Sequence, residues 1–190
     1  MLRLNQKNGR AFIHTAHFTD RPSHADQLHV DIWWKGVNVA LDPGTYQYNA
    51  PSPWDNALLT ARVHNTLTLD GQDQMTRAGR FLWLDWAQAE VLAHEIDEFG
   101  QIKRITAEHN GFRGLGARHQ RSLKSADQGW IIEDFVLPDK NPNDKIHQAQ
   151  LTWLLPDWEW HLEAGNHLQL TGPGLSFSVQ IEGVLKISLF

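Results

Sequence analysis

Apolar and polar residues alternate with a period of two along most of this 190-residue chain, and the 3.6-residue periodicity of long amphipathic helices is scarce. Such alternation suits half-buried strands, because successive side chains of a strand point to opposite faces. The candidate strands are GRAFIHTAHF, QLHVDIWW, VNVALD, HNTLTLDG, RFLWLDWAQAEVLAHE, QIKRITAEH, RHQRSLKS, GWIIEDFVL, AQLTWLLP, HLQLTG and LSFSVQIEG. Turn signals separate them: Lys35-Gly36, Asp70-Gly71, Asp127-Gln128-Gly129, Gly165-Asn166 and Gly172-Pro173-Gly174. Around eleven short strands punctuated in this way predict an all-β fold, an antiparallel β-sandwich forming a single domain over 1–190.

One long irregular insert interrupts the pattern, PGTYQYNAPSPWDNALLTARV, from Pro43 to Val63. Loops of that length in compact domains are functional or disordered, and two tyrosines and a tryptophan argue against disorder. PDKNPNDK, Pro138 to Lys145, reads as a polar surface loop. The net charge is −5 with no block of basic residues, which argues against a nucleic-acid partner. The absence of cysteine excludes disulfides and thiolate metal sites. No apolar run approaches the ~20 residues of a membrane span, and MLRLNQKNGRAF lacks the apolar core of a signal peptide.

Eleven histidines and nine tryptophans are unusual counts, and one hairpin carries two of each together with three aspartates. SHADQLHVDIWWKGVNVALDPG sets His24, Asp26, His29, Asp31 and Asp42 beside Trp33 and Trp34. A two-residue turn at Lys35-Gly36 places Trp34 opposite Val37 and leaves Asp42 at the open end, near where PSHAD joins the first strand. His24 reaches that end because Pro22 and Ser23 bend the chain. Strict register also sets Asp42 opposite His29, so His29 competes with His24 as a ligand. His64, in HNT, arrives from the segment after the insert. Two imidazoles and a carboxylate from three segments suit Zn²⁺, which binds both donor types at about 2.0–2.2 Å and leaves a fourth position open. A second pattern uses His24, Asp26 and His64 as the facial triad of a non-haem Fe(II) oxygenase, although no arginine is placed to bind a co-substrate carboxylate. The plainer alternative makes each histidine a hydrogen-bonded core or surface residue.

HADQLHVDIWWKGVNVALDPGTYQYN, RVHNTLTLDGQDQM, AEHNGFRGLGARHQRSL and LTWLLPDWEW, taken in order, resemble the heparinase II/III-like polysaccharide lyases over about Ser23 to Trp160. The resemblance is to the C-terminal β-sandwich of that family; an N-terminal α/α toroid is its usual partner and lies outside these 190 residues. It implies a Zn²⁺ site with His24, Asp42 and His64 as ligands, which decides against His29, and a cleft for acidic, uronate-containing polysaccharide. The implied reaction is β-elimination, and the implied location is periplasmic, cell-envelope or secreted. The 190-residue chain without a toroid is expected to show little lyase activity. Many members carry His-x-His where this chain reads Pro22-Ser23-His24, so Pro22 takes the catalytic position. Tyr48, and after it Tyr46, are the remaining acid–base candidates, and a non-catalytic module that binds acidic carbohydrate is the competing reading.

Arg62 and Arg77 are candidates for binding substrate carboxylates, and Trp54 for stacking on a sugar ring. Arg118 and Arg121 alternate along RHQR and suit either an anionic-sugar cleft or cross-strand ion pairs. Trp33, Trp83, Trp86 and Trp153 are expected between the sheets, and His109 is assigned no chemistry.

Overall fold

The computed structural model describes residues 1–45, 47, 49–51, 57–80, 82–139, 146–164 and 166–183. Tyr46, Tyr48 and Trp54 lie outside the described residues. Those that are described form fifteen strands, three short 3-10 turns and no α-helix. The all-β expectation is met, and the antiparallel sheets are consistent with a β-sandwich.

The chain divides into two compact units, Met1–Leu155 and Pro156–Phe190. In the first, β1 (Leu2–Gln6), β2 (Gly9–Ile13), β3 (Val30–Trp34) and β4 (Val37–Ala40) make an antiparallel sheet in chain order. A second sheet has the order β11 (Gly129–Pro138), β10 (Ala117–Ala126), β9 (Ile102–His109), β8 (Ala89–Ile96). Strand β1 lies against β9 and β10, which brings the two sheets together. β5 (Leu67–Leu69) pairs with β12 (Ala149–Leu151), and β6 (Thr76–Gly79) with β7 (Leu82–Leu84). The second unit carries a three-stranded meander, β13 (Glu159–Glu163), β14 (His167–Gly172) and β15 (Leu175–Gln180).

Alternation sorts the side chains as expected. Leu4, Ala11, Ile13, Val30 and Ile32 of the first sheet are buried, as are Ile105, Ala107 and Leu123 of the second. Each large aliphatic side chain so removed from water contributes roughly 1.5–3 kcal/mol. Lys35 and Gly36 both adopt left-handed backbone, with φ of 49° and 84°, and Trp34 pairs with Val37 as the two-residue turn requires. Beyond that turn, the register slips between Ile32 and Trp33, so the strict pairing that sets Asp42 opposite His29 is not kept.

Strand boundaries depart from the sequence pattern in three places. GRAFIHTAHF stops being strand at Ile13, where His14 turns to bond His29 and Leu28. RFLWLDWAQAEVLAHE breaks into β7 and β8 at Asp85, whose φ of 54° cannot continue a strand. Strands β1, β6 and β13 were not anticipated; β6 is wholly exposed and β13 nearly so, which removes the alternation by which strands are recognised.

Candidate metal centre

A 3-10 turn over Ala61–Val63 delivers His64 into a fully buried position. Its Nδ1–H donates to the Thr60 carbonyl at 2.7 Å. A carbonyl only accepts, so the neutral ring keeps its lone pair on Nε2. That lone pair faces His24 Nδ1 at 3.4 Å, while His24 Nε2 lies 3.0 Å from the Thr45 hydroxyl. Two ligand nitrogens bound tetrahedrally to zinc at their usual bond lengths are about 3.4 Å apart, so this spacing matches one tetrahedral edge.

The segment bearing His24 is held from both sides. The Trp83 indole N–H donates to Ser23 O at 3.2 Å, and Ala25 N–H donates to Leu59 O at 2.8 Å. Asp26 follows, 8 % exposed, and the ligand atoms of His24, Asp26 and His64 all lie within 4.8 Å of one another. Burial, reinforced by His64, lowers the His24 pKa and favours the neutral ring that a metal requires. Burial pushes Asp26 upward, but contact with His14 outweighs it and holds the carboxyl net below its ordinary value. Asp26 Oδ1 lies 2.9 Å from His14 Nδ1, yet off the hydrogen-bond axis, and neither buried atom makes a hydrogen bond. Two imidazoles and a carboxylate with a buried oxygen that accepts no hydrogen bond form a donor set that suits zinc.

Asp42 is not one of these three, but its charge reaches His24. Its Oδ1 accepts Gly44 N–H at 2.6 Å, and its Oδ2 faces His29 Nε2 at 3.4 Å. The tautomer of His29 is fixed, because Nδ1 accepts Asn65 N–H at 3.0 Å and the neutral ring must carry its proton on Nε2. Burial and the neighbouring His64 push the His29 pKa down to about 4, so that neutral form prevails at pH 7. His29 Nε2–H thus faces Asp42 Oδ2 without making a hydrogen bond to it. With Phe12, His14, Asp31, Trp33 and Asp42, His29 lines an open pocket on the first sheet. Trp33, expected between the sheets, is instead half-buried on this pocket wall, with the Arg10 guanidinium 5.0 Å above its ring.

Polar groups beneath the site are satisfied by one another. Asn65 donates to Val30 O and Leu41 O at 2.8 and 2.9 Å and accepts Leu154 N–H at 2.5 Å. Thr66 donates to Gln27 O, and Gln74 reaches both residues. Arg121, fully buried, donates from Nη1 to Leu28 O and Asn65 O, each at 2.6 Å. Its guanidinium also grips Asp134. Behind Asp134 runs a directed chain: Gly111 N–H to His109 Nδ1, His109 Nε2–H to His119 Nδ1, and His119 Nε2–H to Asp134 Oδ1.

Of the other residues nominated from sequence, Arg118 pairs with Glu108 at 2.7 Å and Arg121 with Asp134, the cross-strand alternative. Arg62 donates to Gly71 O, and Arg77 to Gly79 O at 3.4 Å. Pro22 is buried and precedes the His24 segment without a titratable side chain. Trp83 is 3 % exposed as expected, while Trp86 and Trp153 are half-buried. The sequence reading overlooked His14 and the anchoring of Arg121. His14 looked like a strand residue, and the partners of Arg121 lie 56 and 93 positions away.

An antiparallel sandwich with paired imidazoles and a carboxylate beside its first sheet defines a metal-capable β-domain. The chain belongs to the heparinase II/III-like C-terminal family, whose profile matches residues 2–187. Solved structures of similar fold include heparan sulfate lyase HepC from Pedobacter heparinus, at TM-score 0.69 and 17 % identity over 94 % of this chain and 26 % of that one. A HepC mutant gives 0.70 and 18 % over the same shares. The heparinase III BT4657 gene product gives 0.66 and 16 %, covering 86 % of this chain and 23 % of that one. The chain therefore spans about a quarter of the length of the solved lyases it matches. No curated protein sequence matches it.

Proposed function

We propose that this chain is the β-sandwich part of a polysaccharide lyase acting on uronate-containing polysaccharide, and that it holds one zinc ion on His24, His64 and a carboxylate. The family match over residues 2–187 carries the lyase reading. The carboxylate that the family resemblance assigns is Asp42; the metal would organise the rim of the cleft. A bound zinc ion supplies positive charge and fixes its ligands. Elimination removes the weakly acidic proton beside the substrate carboxylate, so donors must meet the charge that develops there and a base must take the proton. In this chain Pro22 occupies the position where many members carry the base. Proton transfer therefore falls to another group, for which Tyr48 and then Tyr46 are the candidates, with Arg62 and Arg77 as carboxylate partners and Trp54 as a stacking platform. The remaining wall of the cleft would come from an N-terminal toroid.

Release of unsaturated uronate from heparin, heparan sulfate and alginate tests the reading. The sandwich joined to its toroid should generate the product absorbance, and the 190-residue chain alone should generate little. Strong turnover by the chain alone would contradict the two-part cleft. Pro22 favours a second reading, a non-catalytic module for acidic carbohydrate, which a joined protein that binds but never cleaves would support. The trio His24, Asp26 and His64 is also the one an Fe(II) oxygenase would use. Family membership supports the lyase instead, and iron with 2-oxoglutarate turnover would reverse that preference.

A further inference from the structure

Strand β3 turns Val30 and Ile32 inward, where both are buried, and Asp31 and Trp33 to the opposite face. With Phe12, His14, His29 and Asp42 they line the open pocket on the first sheet, whose volume is about 230 Å³. Pockets for drug-sized ligands run to about 300–1,000 Å³, so this one suits a single small ring. We propose that it is a subsite for an uncharged, hydroxyl-bearing sugar residue. Trp33 and Phe12 form its apolar walls, and His29 Nε2–H and Asp31 Oδ1 form its hydrogen-bonding pair. The subsite rests on the polysaccharide reading given above and receives a neighbour of the uronate, not the uronate itself.

Two buried groups on the pocket wall lack the partners that burial calls for. Asn65 N–H donates to His29 Nδ1, so the neutral His29 ring carries its proton on Nε2. That side chain is only 3 % exposed, and its Nε2 makes no hydrogen bond, not even to Asp42 Oδ2 at 3.4 Å. Asp31 Oδ2 accepts Asn38 Nδ2–H at 3.1 Å, while its Oδ1, also buried, accepts nothing. The pocket therefore offers one unmet donor and one unmet acceptor. A hydroxyl both donates and accepts, so hydroxyls answer each of them. A sugar carboxylate or sulfate only accepts: it would meet His29 but face the Asp31 carboxylate. A protonated sugar amine only donates: it would meet Asp31 but face the His29 proton. Among the described residues, no lysine or arginine lines the pocket to reverse that preference. The Arg10 guanidinium lies 5.0 Å above the Trp33 ring, a cation–π contact that holds the indole in place as a wall.

Proton–nitrogen NMR spectra of the purified chain, incubated with zinc and titrated with methyl β-glucoside, methyl β-glucuronide and protonated methyl β-glucosaminide, test the subsite. The Trp33 indole N–H and the Asn38 side-chain amide report on the pocket. The glucoside should shift both saturably and bind about tenfold more tightly than either charged sugar, the worth of one buried hydrogen bond. Asp31→Asn puts an N–H where the unmet acceptor stood. It should bring the glucuronide to within about threefold of the glucoside, a change of preference that a merely structural defect would not produce. Resonances that ignore the glucoside, or a parent chain that binds glucuronide as tightly as glucoside, overturn the proposal. So does a folded Asp31→Asn that keeps the parent's preference. If Asp31→Asn does not fold, the three sugars on the parent chain decide alone. Failure of the lyase reading looks different: the sandwich joined to its toroid would release no unsaturated uronate.

Discussion

Arg121 and Asp134 stand opposite each other on β10 and β11, joined by two parallel bonds, Nε to Oδ1 at 2.7 Å and Nη2 to Oδ2 at 3.0 Å. The same guanidinium holds the carbonyls of Leu28 and Asn65, the residues next to His29 and His64. Leu28 is a buried leucine in left-handed backbone, φ 59°, a conformation that costs about 1–2 kcal/mol for a residue with a Cβ. The bond from Arg121 helps to keep it there, so the second sheet fixes the turns that present the candidate metal centre.

Arg121→Met leaves the Asp134 carboxylate without its guanidinium, with only His119 Nε2–H donating to it. It also takes the donor from Leu28 O, leaves Asn65 O only Val30 N–H at 3.3 Å, and should destabilise the fold by about 3–5 kcal/mol. Asp134→Asn should act in the same direction. The double replacement Arg121→Met/Asp134→Leu should cost less than the two single changes added, because neither partner is then stranded. Urea unfolding of the single and double variants checks this; strict additivity would mean that the pair is not coupled.

Stability should fall as pH drops below about 6.5. Burial holds both His109 and His119 below the ordinary histidine pKa, His109 well below, even though Asp134 works against the shift at His119. The unfolded chain therefore takes up protons first as pH falls, and the stability present above about 6.5 is lost progressively on the way down. Asp134 is opposed by burial yet held well below the usual carboxylate range by the Arg121 charge and its bonds to His119 and Arg121. Its stabilisation is present above about pH 4 and is lost only in stronger acid. Urea midpoints between pH 7 and 5 should drop for the parent chain and drop less for His119→Gln. An equal slope in both would remove the buried pair from the account.

Asn65→Ala should cost about 2–4 kcal/mol, since it strands Val30 O, Leu41 O and Leu154 N–H inside the protein. Asn65→Asp should be worse, because a carboxylate would face two carbonyls. Thermal melts of the two variants give the order directly; a near-neutral Asn65→Ala would show that water replaces the amide.

In the second unit, a Cβ on Gly172 would lie 2.2 Å from the Trp158 ring. Gly172→Ala should displace that indole from its edge-to-face contact with Phe177 and loosen the meander. Gly36→Ala meets no atom within 4 Å, so its cost, about 1 kcal/mol, comes from φ alone. Tryptophan fluorescence should report the first change and not the second.

The architecture was legible where strands are half-buried and turns carry glycine, as in Trp33-Trp34-Lys35-Gly36-Val37. It was hidden where strands are exposed, as in β6, or where a non-glycine residue such as Asp85 takes a positive φ. His24 and His64 were found because a bend and a short motif mark them. The separate places of Asp26 and Asp42 could not be read, because the register slip between Ile32 and Trp33 and the proton on His29 are set by contacts distant in sequence. Arg121 illustrates the same limit. Its strand partner Asp134 follows from pairing, but the carbonyls it clamps belong to loops that no periodicity predicts.

The central claim is that His24 and His64 share a metal ion. Inductively coupled plasma mass spectrometry of the chain, purified without chelator and incubated with zinc before dialysis, tests it most directly. One zinc per chain, lost in both His24→Ala and His64→Ala while their folds persist, is the predicted result. A parent chain that takes up no zinc, or folded variants that hold as much as the parent, would contradict it.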